Sequence, residues 1–206
     1  MARSDTLLPR KVPTQPRAHA TVEAILDATA KLLVEVGVDR LTTNAIAELS
    51  GINVASLYSY FPNKFAVLAA LWDRMQERQR GLLAGVDATE SPARAVAMGV
   101  DATFEFVIGE PGFVELADAV RLVPELRELS QQGHAAAAKL LRELLVQRRV
   151  RQRSATDVDA IAAVIVEVVS ATLAHARRAP PRRRKRIVGE LKAMLTAYLA
   201  SLEGSR

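Results

Sequence analysis

The chain has 206 residues, enough for one large domain or two small ones. Half of them are hydrophobic, a quarter charged and only 4% aromatic, so a core must be built mainly from aliphatic side chains. The net charge of +5, from 28 basic and 23 acidic residues, allows an anionic partner, while the absence of cysteine excludes a disulfide framework, a Cys-ligated zinc and a thiol nucleophile.

Residues 1–19 form a basic, Pro-rich arm, with Arg3, Arg10, Lys11 and Arg17 against Asp5 alone and with Pro9, Pro13 and Pro16. Such a segment is expected to be disordered in isolation, and without an apolar stretch it is no signal peptide. A first helix is predicted from near Thr21, where Val22, Ile25, Leu26, Thr29, Leu32, Leu33 and Val36 keep the spacing of one buried face, and Gly37 stops it. Two very short helices flank Gly51: Thr42 or Thr43 caps one that ends near Ser50, and Asn53 caps one that ends near Ser59. Pro62 breaks the pattern, and Asn63 caps a long helix to about Leu83, near Gly81 and Gly85.

Only helices are predicted beyond it. Ser91-Pro92 starts one that runs to Ile108, followed by a loop at 109–112 and a shorter helix with a break near Pro124. Further helices cover about 131–152, Thr156 to Arg178 with Thr156 as cap, and, after Pro180-Pro181, the stretch to Leu202. The chain shows no strand-like alternation and no internal repeat. The uncharged apolar run Ala160–Val166 stops at Glu167, well short of the ~18 residues of a bilayer span. The reading is a cytoplasmic protein without a membrane partner.

Residues 43–62 have the makings of a helix-turn-helix. Ala47 is small where two steeply crossed helices touch, Gly51 tolerates positive φ in the turn, and Ile46, Ile52, Leu57 and Tyr60 fall on inward positions. The outward face of the second helix is small and polar, with Val54, Ala55, Ser56 and Ser59, which allows close approach to base edges in a major groove. Tyr58, Tyr60 and Lys64 can reach phosphates beside it, and Tyr60 can equally bury its ring. Thr42 and Thr43 add hydroxyls at a helix N-terminus, itself a phosphate site. Lys64 at the start of its own helix opposes the helix dipole, which favours a DNA phosphate as its partner. The basic arm is either a solubilising tail or a reader of the minor groove.

The stretch Leu41–Lys64, LTTNAIAELSGINVASLYSYFPNK, closely resembles the TetR family of bacterial transcription regulators. The helix before it, the continuation FAVLAALW at 65–72 and the arm RKVPTQPR at 10–17 are similar to the same family, so the likeness covers about residues 10–75. Ala55 stands where many members carry glycine. Beyond residue 80 the resemblance is architectural. It implies an all-α chain with a flexible basic arm (1–19), a three-helix DNA-binding head (20–64) and a helical ligand-binding and dimerisation body (65–206). It further implies a repressor on a pseudo-palindromic double-stranded operator, released when a small molecule enters the body.

Candidate ligand contacts are Trp72, Met75, Met98, Phe104, Phe106 and Phe113, each of which could also be plain core. Their apolar character points to a small hydrophobic ligand. The last two helices carry a nearly all-apolar helix and a clear stripe. Val168, Leu173, Leu191, Leu195, Tyr198 and Leu199 are expected to face a second copy in a four-helix homodimer interface. The basic run from Arg177 to Arg186 reads as a solvated turn. His134 and His175 stand apart from any carboxylate at ligand spacing, so neither metal nor cofactor is expected. A P-loop, a Gly-x-Gly-x-x-Gly, a Gly-x-Ser-x-Gly and a His-Glu-x-x-His are all missing, and the chain is not expected to be an enzyme. The rival readings are an enzyme or ligand carrier built on a helical bundle, and a DNA-binding architectural protein without a ligand.

Overall fold

A computed structural model describes residues 5–86, 89–147 and 155–203 of the chain. Among the described residues the regular structure is helical throughout: α1 (Pro16–Arg40), α2 (Thr43–Ser50), α3 (Val54–Tyr60), α4 (Lys64–Leu83), α5 (Pro92–Gly109), α6 (Phe113–Leu122), α7 (Arg127–Gln147), α8 (Ala155–Arg177) and α9 (Pro181–Glu203). Short 3-10 turns at Asp5–Leu7 and Pro124–Leu126 complete it. Arg3, the side chain of Thr156 and the helix end expected near 152 lie outside the described part.

The helix starts follow local chemistry. Thr42 Oγ1 accepts the Ala45 N–H at 3.1 Å, Asn53 Oδ1 accepts the Ala55 N–H at 2.7 Å, and Asn63 Oδ1 accepts the Ala66 N–H at 3.0 Å. Gly51 closes α2 in the left-handed region, at φ 70° and ψ 20°, and the following Ile52 N–H reaches back to the Ala47 carbonyl. Two boundaries differ from expectation. Helix α1 begins at Pro16, five residues before Thr21, because proline fits the first turn, where no N–H is needed. It is broken at Gly37, as its stop signal implies, but one further helical turn carries it to Arg40. Helix α7 begins at Arg127 because the Pro124–Leu126 turn runs straight into it.

The chain divides into two compact units. The first joins residues 1–77 to 110–131, and the second joins 78–109 to 132–206. Helix α4 up to Glu77 and all of α6 belong with the helix-turn-helix.

In the first unit α1 packs on α2 and α6, and α2 on α3. Ile25, Leu33, Ile46, Leu57, Leu68 and Leu116 are fully buried there. Arg74 of α4 ties itself to α1 through Glu23 and Asp27, both at 2.8 Å. In the second unit α5, α8 and α9 pack against one another around Val96, Val100, Ile161, Ile165, Leu191 and Leu195. Polar pairs edge that core: Lys192 with Asp101, Arg142 with Asp159 at 2.6 Å, and His134 with Glu167 at 2.6 Å. His134 thus does have a carboxylate beside it, supplied by another helix and invisible to sequence spacing. Arg184 donates to the Arg177 carbonyl at 3.0 Å and so fastens the basic turn between α8 and α9.

Candidate nucleic-acid interface

Helix α3 is anchored from beneath by Leu57, which is fully buried, and by Phe61 just past its end. With Leu57 inward, the helical period turns Ala55, Ser56, Tyr58 and Ser59 outward, and all four are exposed. Val54 and Tyr60 are half-buried at the margins. The Ser59 hydroxyl donates to the Ser56 carbonyl at 2.7 Å, which holds it close to the helix. Thr43 Oγ1 and the Tyr58 hydroxyl share a hydrogen bond of 2.9 Å. That bond joins the start of α2 to the middle of α3 and leaves two hydroxyls side by side at the edge of the outward face. Thr42 spends its oxygen on capping α2.

Lys64 goes elsewhere than expected. Its ammonium donates to the carbonyls of Val38 and Leu41, each at 3.2 Å, and lies 5.6 Å from the Phe65 ring centroid. A cation at the start of its own helix is poorly placed by the dipole rule. Here the side chain is long enough to serve the C-terminal end of α1, where carbonyls lack partners. Two of its three donors are committed to this staple. Removing them with Lys64→Met leaves carbonyls short of a charged donor and is expected to cost about 1–2 kcal/mol of stability. A thermal melt of the DNA-free protein reads this directly, and an unchanged midpoint would return the ammonium to DNA.

The arm is not free over its described part. Leu7 is buried, the Asn63 side-chain amide donates to the Thr6 carbonyl at 3.0 Å, and the Arg10 N–H donates to the Tyr60 carbonyl at 2.7 Å. The Arg10 guanidinium donates to the Tyr58 carbonyl at 3.2 Å. Over residues 5–10, one apolar anchor and three hydrogen bonds lay the arm against the helix-turn-helix. The Leu7-Leu8 pair, the only adjacent large apolar residues in the arm, was the signal available in the sequence.

The six candidate ligand contacts divide between the units. In the first, Trp72 stacks on Phe113, with centroids 5.9 Å apart and planes 5° from parallel, and its indole N–H donates to the Leu129 carbonyl at 3.2 Å. Met75 is fully buried there. In the second, Phe106 is buried, while Met98 and Phe104 are half-buried on α5. Among the described residues no three His, Asp or Glu side chains gather as a metal site.

The residues expected at a dimer interface also divide. Leu173, Leu191, Leu195 and Leu199 are buried in the chain's own α5–α8–α9 core, which covers this part of the stripe from within. Val168 is half-buried at the edge of that core, and Tyr198 is 38% exposed. Val164 and Met194 are further large apolar residues that stay open on these helices.

Comparison with known proteins agrees with this architecture. A family described as "Bacterial regulatory proteins, tetR family" matches residues 25–71, and "Tetracyclin repressor-like, C-terminal domain" matches residues 91–199. An uncharacterized HTH-type transcriptional regulator of Bacillus subtilis, YdeS, is 41% identical over 54 residues, 26% of this chain and 27% of that protein, so the chain spans only about a quarter of that relative's length. The HTH-type transcriptional regulator EthR of Mycolicibacterium smegmatis is 29% identical over 146 residues, 67% of each chain. The crystal structure of a TetR-family transcriptional regulator from Streptomyces coelicolor superposes with a TM-score of 0.66 at 27% identity, over 88% of this chain and 99% of that one. With more than half of its length matched by the C-terminal family and the helix-turn-helix matched by the N-terminal one, the chain belongs to the TetR family of bacterial transcription regulators.

Proposed function

We propose that the chain is a homodimeric, sequence-specific DNA-binding regulator in the bacterial cytoplasm, a repressor whose hold on its operator is loosened by a small apolar ligand. The observation that carries the DNA-reading part is the outward face of α3. Ala55, Ser56 and Ser59 are small enough for close approach to base edges, and the Thr43–Tyr58 hydroxyl pair stands at the rim for phosphate oxygens.

The dimer reading rests on α8 and α9. Over Asp157–Arg177, α8 is long and apolar enough by composition to cross a membrane, yet only 28% of that apolar window is buried within the chain. Its open side carries Ala160, Ala163, Val164 and Ala171, and the open side of α9 carries Ala193, Met194, Ala197 and Tyr198. Small residues beside a few bulky ones let two helix pairs approach closely, and a second copy is the cover we assign to them. Two heads so joined would lie about 34–36 Å apart, one turn of DNA, or a multiple of that. The apolar ligand is supported by the character of Trp72, Met75, Phe113, Met98, Phe104 and Phe106. Its coupling to DNA would be about 1–3 kcal/mol and reciprocal.

The test is enrichment of random-sequence duplexes on the full chain, followed by titration of the winners at several salt concentrations. A two-fold related motif and an affinity falling steeply with salt are expected. Ser56→Ala and Ala55→Gly should then change which sequences win. Uniform binding to all duplexes would replace this reading by an architectural one, and no binding would refute both.

A further inference from the structure

We propose that the N-terminal arm is a strap that holds the exit of the recognition helix, with Leu7 as its anchor and Arg10 as a positioning residue for DNA reading; the inference rests on the DNA-binding function proposed above. Helix α3 has seven residues, too few to hold itself, and its last carbonyls have no partner inside the helix. Phe61 N–H takes the Leu57 carbonyl at 2.9 Å. Those of Tyr58 and Tyr60 are taken by one arm residue: the Arg10 guanidinium donates to the first at 3.2 Å and the Arg10 N–H to the second at 2.7 Å. A cation at that place also suits the negative end of the helix dipole. Both bonds come from a residue about fifty positions earlier in the chain, so they form only when the arm lies down.

What lays it down is upstream. The 3-10 turn Asp5–Leu7 is closed by the Leu8 N–H on the Asp5 carbonyl, and it presents Leu7, 1% exposed, as a single apolar plug. Asn63 ties the same turn to the start of α4: its amide group donates to Thr6 while its Oδ1 caps the helix. The strap thus bridges the two ends of the α3–α4 link and fixes the backbone that carries Tyr58, whose hydroxyl meets Thr43. One plug and a few hydrogen bonds make a weak attachment, at the low end of local stability. Docked and undocked arms therefore exchange, and apparent DNA affinity scales with the docked fraction.

A positioning arginine and a phosphate-contacting arginine give different signatures. Full-length Leu7→Asn, Arg10→Ala, Arg10→Lys and the Leu7→Asn/Arg10→Ala double variant would be titrated against the duplex that the unaltered protein enriches, across a salt series. Each of Leu7→Asn and Arg10→Ala should weaken binding about tenfold by emptying the docked state. The double variant should be no weaker than either, because both act through one strap. The slope of affinity against salt should stay as in the parent, and Arg10→Lys should recover part of the loss. Additive losses with a slope reduced by about one phosphate on Arg10→Ala would make Arg10 a DNA contact and overturn the strap. Unchanged affinity in all variants would overturn it as well. Amide hydrogen exchange of the DNA-free protein provides an independent readout. Leu7→Asn should speed exchange at the end of α3 severalfold. If the parent enriches no duplex, the DNA-reading proposal fails by itself, while exchange still reports whether the strap holds α3; unaltered exchange would refute the strap.

Discussion

Leu195→Glu is expected to unfold the α5–α8–α9 bundle, not to release a folded monomer. Leu195 is 5% exposed and belongs to the cluster of Val100, Ile161, Ile165, Leu191 and Leu199. Losing its burial costs about 2–3 kcal/mol, and an unpaired carboxylate there adds several more. That sum approaches the whole stability of an ordinary domain, about 5–15 kcal/mol. Met194 is the contrasting position. It is 51% exposed one residue earlier, so Met194→Glu changes the isolated chain by only about 0.5 kcal/mol. In the proposed dimer the same charge is buried against the partner copy and should break the assembly. Circular dichroism and sedimentation separate the cases: Leu195→Glu loses helix or aggregates, and Met194→Glu stays helical as a monomer. A folded Leu195→Glu monomer would contradict the internal core, and a dimeric Met194→Glu would place the interface on other helices.

Gly112→Ala is expected to be comparably severe, for a reason of backbone geometry. Gly112 opens α6 at φ 74°, a conformation that costs an L-residue about 1–2 kcal/mol. A Cβ there would come within 2.7 Å of the Ala30 carbonyl oxygen and 3.1 Å of the Ala30 Cα. Both are backbone atoms in the middle of α1, which cannot swing aside as a side chain would. Strain of this kind adds about 1–3 kcal/mol, for a total of about 2–5 kcal/mol in urea unfolding. Gly99 is the control. It lies inside α5 with nothing near its missing Cβ, so Gly99→Ala should gain about 0.5–1 kcal/mol. Equal effects at the two glycines would mean that α6 does not lie against α1 as described.

The helix-turn-helix was legible because its signals are local. Thr42, Asn53 and Asn63 cap the next turn of their own helix, and Gly51 and Leu57 act within a few residues of where they stand. What escaped was long-range in each case. Lys64 opposes the dipole of its own helix, but its ammonium finds carbonyl partners at the end of α1, more than twenty residues away. The apolar stripe of α9 announced burial without saying by what, since the chain's own α5 and α8 serve as well as a second copy. The contacts of the arm leave little mark on its composition, which does not weigh one well-placed leucine. The close approach of Gly112 to Ala30 left no trace in either local pattern.

The first compact unit is discontinuous, with residues 1–77 completed only by 110–131. On the ribosome this becomes a matter of timing. The helix-turn-helix emerges first, but Phe113 and the Leu129 carbonyl, which hold Trp72, are translated later. At roughly 5–20 residues per second the 54 residues after Glu77 take roughly 3–11 s. Throughout that interval the nascent chain offers the Trp72 ring and the α1 backbone around Ala30 without their native cover. A chaperone that recognises exposed apolar surface would meet the protein there, and a fragment ending at Glu77 would carry that surface permanently.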